Sequence, residues 1–199
     1  MDSLENLCFE KVKQLFASKK LKVEQFRVLP ENVLERICSF VPTPQQIRTL
    51  GICVRWMKGV LREKGFYVNG KLEGQLLKWD EKGRVLEEVQ YKEGKKDGVR
   101  VLFEPSKNRV YSIETYRRDL LHGERKTFRE GFLHSKEMYA KGELHGERIV
   151  YFCDTEEKIW KIQSFYRGLK EGKFIEYEED ETVRKEQLWV RGVLVGDAR

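Results

Sequence analysis

The side chains of this chain that could do chemistry are three histidines, four cysteines and two acidic runs. His122 and His145 invite attention as bases or metal ligands, because both precede a glycine in near-identical Leu-His-Gly-Glu stretches. The same slot holds Glu73, Asp97, Glu171 and Val195 in the other copies of that stretch. A slot that accepts Asp, Glu, His and Val is a turn position. His134 stands singly in a strand-like run, and Asp154-Thr155-Glu156-Glu157 and Glu178-Glu179-Asp180-Glu181 read as solvated links between strands. Cys8, Cys38, Cys53 and Cys153 lack the paired spacing of a zinc site, and read as reduced thiols of an intracellular protein. No phosphate-cradling glycine loop, nucleophile elbow or paired-carboxylate motif is present. The expectation is a protein with no catalytic residues, no metal and no cofactor.

What organises the chain instead is a recurring turn. It appears as Gly70–Gly74, Gly94–Gly98, Asp119–Gly123, Gly142–Gly146, Gly168–Gly172 and Gly192–Gly196, with second glycines 24, 25, 23, 26 and 24 residues apart. A fixed period of this size marks a repeat array. Five residues after each second glycine stands an aromatic: Trp79, Phe103, Phe128, Tyr151 and Tyr177. Three residues before each next turn stands another: Tyr91, Tyr116, Tyr139, Phe165 and Trp189. Each repeat therefore reads as two strands, and the array as an antiparallel meander.

Counting from the first turn residue as zero, the aromatics at −3 and +9 share an odd parity with the +7 residues Leu77, Val101, Lys126, Ile149 and Ile175. Taken across a symmetric five-residue turn, this predicts one aromatic and aliphatic face, with Arg100, Arg125 and Arg148 at +6 on a charged opposite face. Glu114, Glu137, Gln163 and Gln187 at −5 break the apolar parity. The aromatic stripe is expected to supply the core between repeats and a few anchors for a partner protein.

Residues 1–68 read differently. Leu4, Leu7, Cys8, Val12, Leu15 and Phe16 make one apolar helical stripe. A second helix is expected after Leu29-Pro30, with Val33, Leu34, Ile37 and Val41 on its face and Pro42 and Pro44 ending it. A third carries Ile47, Leu50, Cys53 (or Val54) and Met57, with Trp56 beside them, and a short piece follows at Val60-Leu61.

The order Leu29-Pro30, apolar helix, proline break and Ile52-Cys53-Val54-Arg55-Trp56 resembles an F-box over about 40 residues. That resemblance implies binding to the Skp-type adaptor of a cullin ubiquitin ligase through Leu29, Pro30, Val33, Leu34, Ile37, Leu50, Cys53 and Trp56. The repeats resemble the MORN family, with Leu121-His122-Gly123-Glu124 and Leu144-His145-Gly146-Glu147 the closest matches. They look like a longer-hairpin variant of the kind seen in antitoxin-like repeat proteins.

Composition sets the remaining bounds. The charged fraction is 36% and the mean hydropathy −0.64, and no apolar run is long enough to span a bilayer. The net charge of +6 sits mostly in residues 1–68, with 12 Lys/Arg against 7 Asp/Glu. Residues 69–199 carry 27 against 26, which argues against a nucleic-acid stripe and against an anionic membrane surface. The expected architecture is α+β: a helix in 1–25, an F-box-like helical module in 26–68, and an elongated meander of five to six MORN-like repeats in 69–199. The expected function is that of a cytoplasmic, non-enzymatic substrate receptor that couples a Skp-type adaptor to an unknown target protein. The alternatives are a ligase-independent scaffold or antitoxin-like binder and, behind these, a lipid binder.

Overall fold

The computed structural model describes residues 52–57, 60–153 and 157–198. Every regular element among them is a strand. They run β1 (Ile52–Met57), β2 (Val60–Val68), β3 (Lys71–Trp79), β4 (Val85–Lys92), β5 (Lys95–Glu104), β6 (Arg109–Arg117) and β7 (Leu120–Arg129). They continue as β8 (Phe132–Ala140), β9 (Glu143–Tyr151), β10 (Ile159–Tyr166), β11 (Leu169–Tyr177), β12 (Val183–Val190) and β13 (Val193–Ala198). Strand order in the sheet is chain order, β1 through β13. Contacts group the chain into two compact units. The first ends at Val85 and takes in Tyr91–Gly94; the second is made of Leu86–Gln90 and everything from Lys95.

The α+β expectation is corrected: the described residues are all-β. The helix expected over Ile47–Met57 is replaced from Ile52 by β1, and the piece at Val60-Leu61 opens β2. β1 pairs antiparallel with β2, from Ile52 opposite Phe66 to Met57 opposite Val60. The physical reason is in the residues: Ile52, Val54 and Trp56 alternate, and β-branched and aromatic side chains suit a pleated surface better than a helix. The expected helices at 4–16 and 30–41 lie outside the described residues.

In the first unit, Gly65 sits opposite Cys53, and a Cβ placed there would lie 2.6 Å from Leu76 Cδ1. Leu76 is buried. Glycine thus lets β3 lay its one core leucine across β2.

The recurring turn is tighter than a five-residue loop. The chain reverses over two residues, at Asn69-Gly70, Glu93-Gly94, Arg118-Asp119, Lys141-Gly142, Arg167-Gly168 and Arg191-Gly192, each with positive φ at both positions. That is the signature of a type I′ hairpin turn, whose twist matches the flanking strands. Residues Lys71 to Gly74 and their equivalents already belong to the following strand.

The second glycine of the motif makes a bulge. Between Glu114 opposite Arg125 and Tyr116 opposite Leu121, β7 carries two residues more than β6. The same two-residue shift recurs between Glu137 and Tyr139 and between Gln163 and Phe165. Gly146 has φ 106°, and a side chain there would also press on Met138 Cβ at 3.3 Å. At the far end of the hairpins, one-residue shifts fall at Leu102/Phe103, Thr127/Phe128 and Glu176/Tyr177. The one-residue shifts reset which face the following residues take, whereas a two-residue shift keeps the alternation.

The middle of the motif ties one turn to the next. The carbonyls of Leu72, Lys96, Leu121, Leu144 and Lys170 accept the N–H of Gly94, Asp119, Gly142, Gly168 and Gly192, at 2.8 to 2.9 Å. The side chain one residue later accepts from the first residue of that next turn. Glu73 takes the Glu93 N–H at 2.8 Å, Glu171 the Arg191 N–H at 2.6 Å, Asp97 the Arg118 N–H and His122 the Lys141 N–H. His145 instead lies against the Tyr166 ring, with centroids 5.1 Å apart. In Glu73, Asp97, His122 and Glu171 the histidine slot is therefore an acceptor position that buttresses the neighbouring turn.

Candidate functional site

The second unit has two faces of different character. One carries a ladder of alternating charge across β4 to β9: Glu87, Arg100, Glu114, Arg125, Glu137 and Arg148. Arg100 Nε meets Glu87 at 2.6 Å and its Nη1 meets Glu114 at 3.1 Å. Arg125 lies 3.4 Å from Glu114 and 3.2 Å from Glu137, and Arg148 Nε lies 3.0 Å from Glu137. The carboxylates are nearly sealed, Glu114 at 6% exposure and Glu137 at 5%. Tyr116 donates its hydroxyl to Glu114 at 2.9 Å and Tyr139 to Glu137 at 3.0 Å, while the buried Ser112 hydroxyl donates to Glu114 at 3.2 Å.

This overturns the face expected from parity. Arg100, Arg125 and Arg148 share a face with the −3 aromatics and are half-buried, and the +7 aliphatics Val101, Ile149 and Ile175 lie on the other side. Glu114 and Glu137 are the arginines' partners: each −5 residue stands directly across from a +6 residue, as Glu114 does from Arg125. The ladder is neutral in sum, which is how a polar core survives burial.

Titration follows the geometry. Burial pushes the Glu114 carboxyl up, but hydrogen bonds from Tyr116 and Arg100 outweigh it and hold the group below its ordinary range. Burial works against the charge on Arg100, and the bond to Glu87 more than restores it. The Tyr116 and Tyr139 phenols are pushed up by burial and by their carboxylate neighbours.

None of the ten aromatics expected to anchor a partner is fully exposed. Tyr151 is buried, and Trp79, Tyr91, Phe103, Tyr116, Phe128, Tyr139, Phe165, Tyr177 and Trp189 are half-buried. Beyond Arg148 the charged rungs give way to Gln163, Phe174 and Gln187. Phe174 packs edge-on to Phe165 at 5.4 Å and tilted against Trp189 at 5.7 Å, with Lys170 Nζ 3.8 Å over the Trp189 ring.

The opposite face of the last two hairpins has a different surface. Tyr166, Leu169, Leu188, Val190, Val193 and Val195 are all exposed, Leu169 at 53% and Val193 at 63%. Tyr166 pairs across with Leu169 and Val190 with Val193. Leu169 Cδ2 also reaches within 3.7 Å of where a Cβ on Gly192 would stand, so the two hairpins form one strip. Arg167 and Arg191 flank it at the turns; both are exposed, the Arg167 guanidinium lies 5.4 Å over the Tyr166 ring, and neither guanidinium meets a carboxylate among the described residues. Sequence reading missed this strip because its members lie at −4, −2, +1 and +3, outside the −3, +7 and +9 slots that carry the regular apolar pattern.

Of the residues assigned to adaptor docking, Leu29, Pro30, Val33, Leu34, Ile37 and Leu50 lie outside the described residues. Cys53 and Trp56 belong to β1. Cys153, which is exposed, lies 3.3 Å from His134 Nδ1. Burial, then Arg129 and Arg148, push His134 below its ordinary value. A hollow of about 410 Å³ is lined by Glu157, Lys158, Ile159, Tyr177 and Glu181. Among the described residues no group of three or more His, Cys, Asp or Glu is placed to hold a metal, and no helix is long and apolar enough to cross a membrane.

Comparison with known proteins adds no family: the chain matches no family model, and no curated protein matches its sequence. The F-box and MORN resemblances rest on the motifs themselves.

Proposed function

We propose that this protein is a non-enzymatic interaction scaffold, whose repeat sheet binds a segment of a partner protein along the strip from Tyr166 to Val195. The observation that carries the reading is the cluster of six exposed apolar side chains on one face of two adjacent hairpins, bordered by two arginines whose guanidinium groups meet no carboxylate among the described residues. Contiguous apolar surface with a polar rim is what interaction sites look like. The flanking charge makes an apolar segment bearing carboxylates the complementary occupant. The cytoplasmic placement belongs to the same proposal and is supported by the unpaired cysteine pattern.

Replacing Leu169 and Val193 with glutamate tests this. Each is exposed, so thermal stability should stay within about 0.5 kcal/mol of the parent. Partner binding should weaken by about 1–2 kcal/mol per site, because each substitution buries a charge against apolar surface. Unchanged affinity in the double variant would remove the strip from the binding surface.

A second reading is favoured by the order of Leu29-Pro30, proline break and Arg55-Trp56: residues 29–50 dock on a Skp-type adaptor, and the sheet serves as the ligase's target-binding arm. Reconstitution of the full chain with the purified adaptor decides it. A complex lost on Leu29→Ala supports the reading, and no complex at micromolar concentrations rejects it.

A further inference from the structure

The charge ladder stops one rung short of symmetry, and the stopping point is built to take a carboxylate. Arg100 lies between Glu87 and Glu114, and Arg125 between Glu114 and Glu137. Arg148 has Glu137 on one side only. On its other side, directly across in β10, stands Gln163, the −5 residue that is Glu114 and Glu137 in the two preceding rungs. Side-chain exposure rises along the row, from 22% at Arg100 to 32% at Arg125 and 39% at Arg148. As at Arg125, the Arg148 Nε is shut off from solvent without a hydrogen bond, so what sets Arg148 apart is the missing second carboxylate.

The surroundings continue the same face. Gln163 pairs across with Phe174, and Phe174 with Gln187, giving a row of amide, ring and amide beside Arg148. The Trp189 indole Nε1 is likewise closed off without a partner, under the Lys170 ammonium. Arg148 and Lys170 thus supply two cations around an aromatic floor, and no carboxylate of the described residues meets Lys170.

We propose that this end of the ladder is a second docking point, taking an aspartate or glutamate side chain from an acidic, aromatic-bearing peptide segment of a partner protein. The carboxylate supplies the partner that Gln163 does not, and the flanking ring packs on Phe174 and Trp189. Charge complementarity selects the occupant: a half-paired, half-buried guanidinium gains most from a carboxylate that arrives with apolar surface to exclude water.

The chain offers its own competitor. In Gln163→Glu an internal carboxylate occupies the rung. The probe is a fluorescein-labelled peptide of alternating glutamate and phenylalanine, compared with its glutamine counterpart. The parent should bind the acidic peptide roughly tenfold more tightly than the neutral one at low salt. Gln163→Glu should abolish that preference while raising the melting temperature, and Arg148→Gln should abolish it without the rise. A parent with no preference for the acidic peptide, or a preference that survives Gln163→Glu, overturns the proposal. Leu169→Glu should leave the preference intact, because it lies on the other face. Failure at Arg148 and failure of the Tyr166–Val195 strip are therefore separately visible.

Discussion

At the scale of single residues, the decisive chemistry is structural. Glu114 is a sealed carboxylate that stays charged because two arginines, a tyrosine and a serine surround it. Removing one member strands the others, so Glu114→Gln or Arg125→Gln should destabilise the sheet by about 2–3 kcal/mol, discounted from the fully buried case because the arginines keep contact with water. The pH dependence has a definite sign. The folded Glu114 value lies below the ordinary 4.5, so its contribution is complete above the unfolded value and is lost as pH falls through the folded one. Urea midpoints measured at about pH 6 and about pH 3 should differ more for the parent than for Glu114→Gln. Gly146 makes the complementary point about backbone. Its φ of 106° strains any side chain, so Gly146→Val should cost about 1–3 kcal/mol, and trimming Met138 to alanine should not restore it.

At the scale of elements, the hairpin is the unit and the turn is its lock. Glu171 accepts the Arg191 N–H across to the next turn. Glu171→Ala should lower stability by about 0.5–1 kcal/mol, while Glu171→Gln, which keeps an acceptor oxygen, should retain most of it; thermal melts of the two variants decide the point. The repeat and its hairpins could be read from glycine and aromatic spacing alone, because a type I′ turn and a positive-φ bulge both demand particular residues. Face assignment could not. Parity counting across a five-residue loop sets −3 against +7, whereas the two-residue turn sets −3 with +6, and the one-residue shifts at Phe103, Phe128 and Tyr177 break the alternation further along. The partnership of Arg125 with Glu114 and Glu137 was therefore hidden, although the breaks at −5 marked those positions as unusual. The stretch Ile52–Met57 failed differently: its apolar residues fit both a helical and an alternating spacing, and pairing with β2 selected the strand.

At the scale of the whole molecule, the consequences are locality and a division of labour. Within the second unit each strand is hydrogen-bonded to its chain neighbours, so perturbations should stay near their hairpin. Glu114→Gln in β6 and Glu171→Ala in β11, five strands apart, should add within about 0.5 kcal/mol when combined, as a denaturation cycle would measure. The near-balance of charge in residues 69–199 includes an internal ladder. One face of the second unit is held by that ladder, and the opposite face presents apolar side chains to solvent from the last two hairpins. A photo-crosslinking residue placed at Leu169, compared with one at Ser106 in the β5–β6 link, tests this division most directly. The account predicts a discrete partner adduct from position 169 that is absent from position 106 and suppressed by Val193→Glu. The same adduct from both positions, or none from 169 while the intact chain binds the partner, would contradict it.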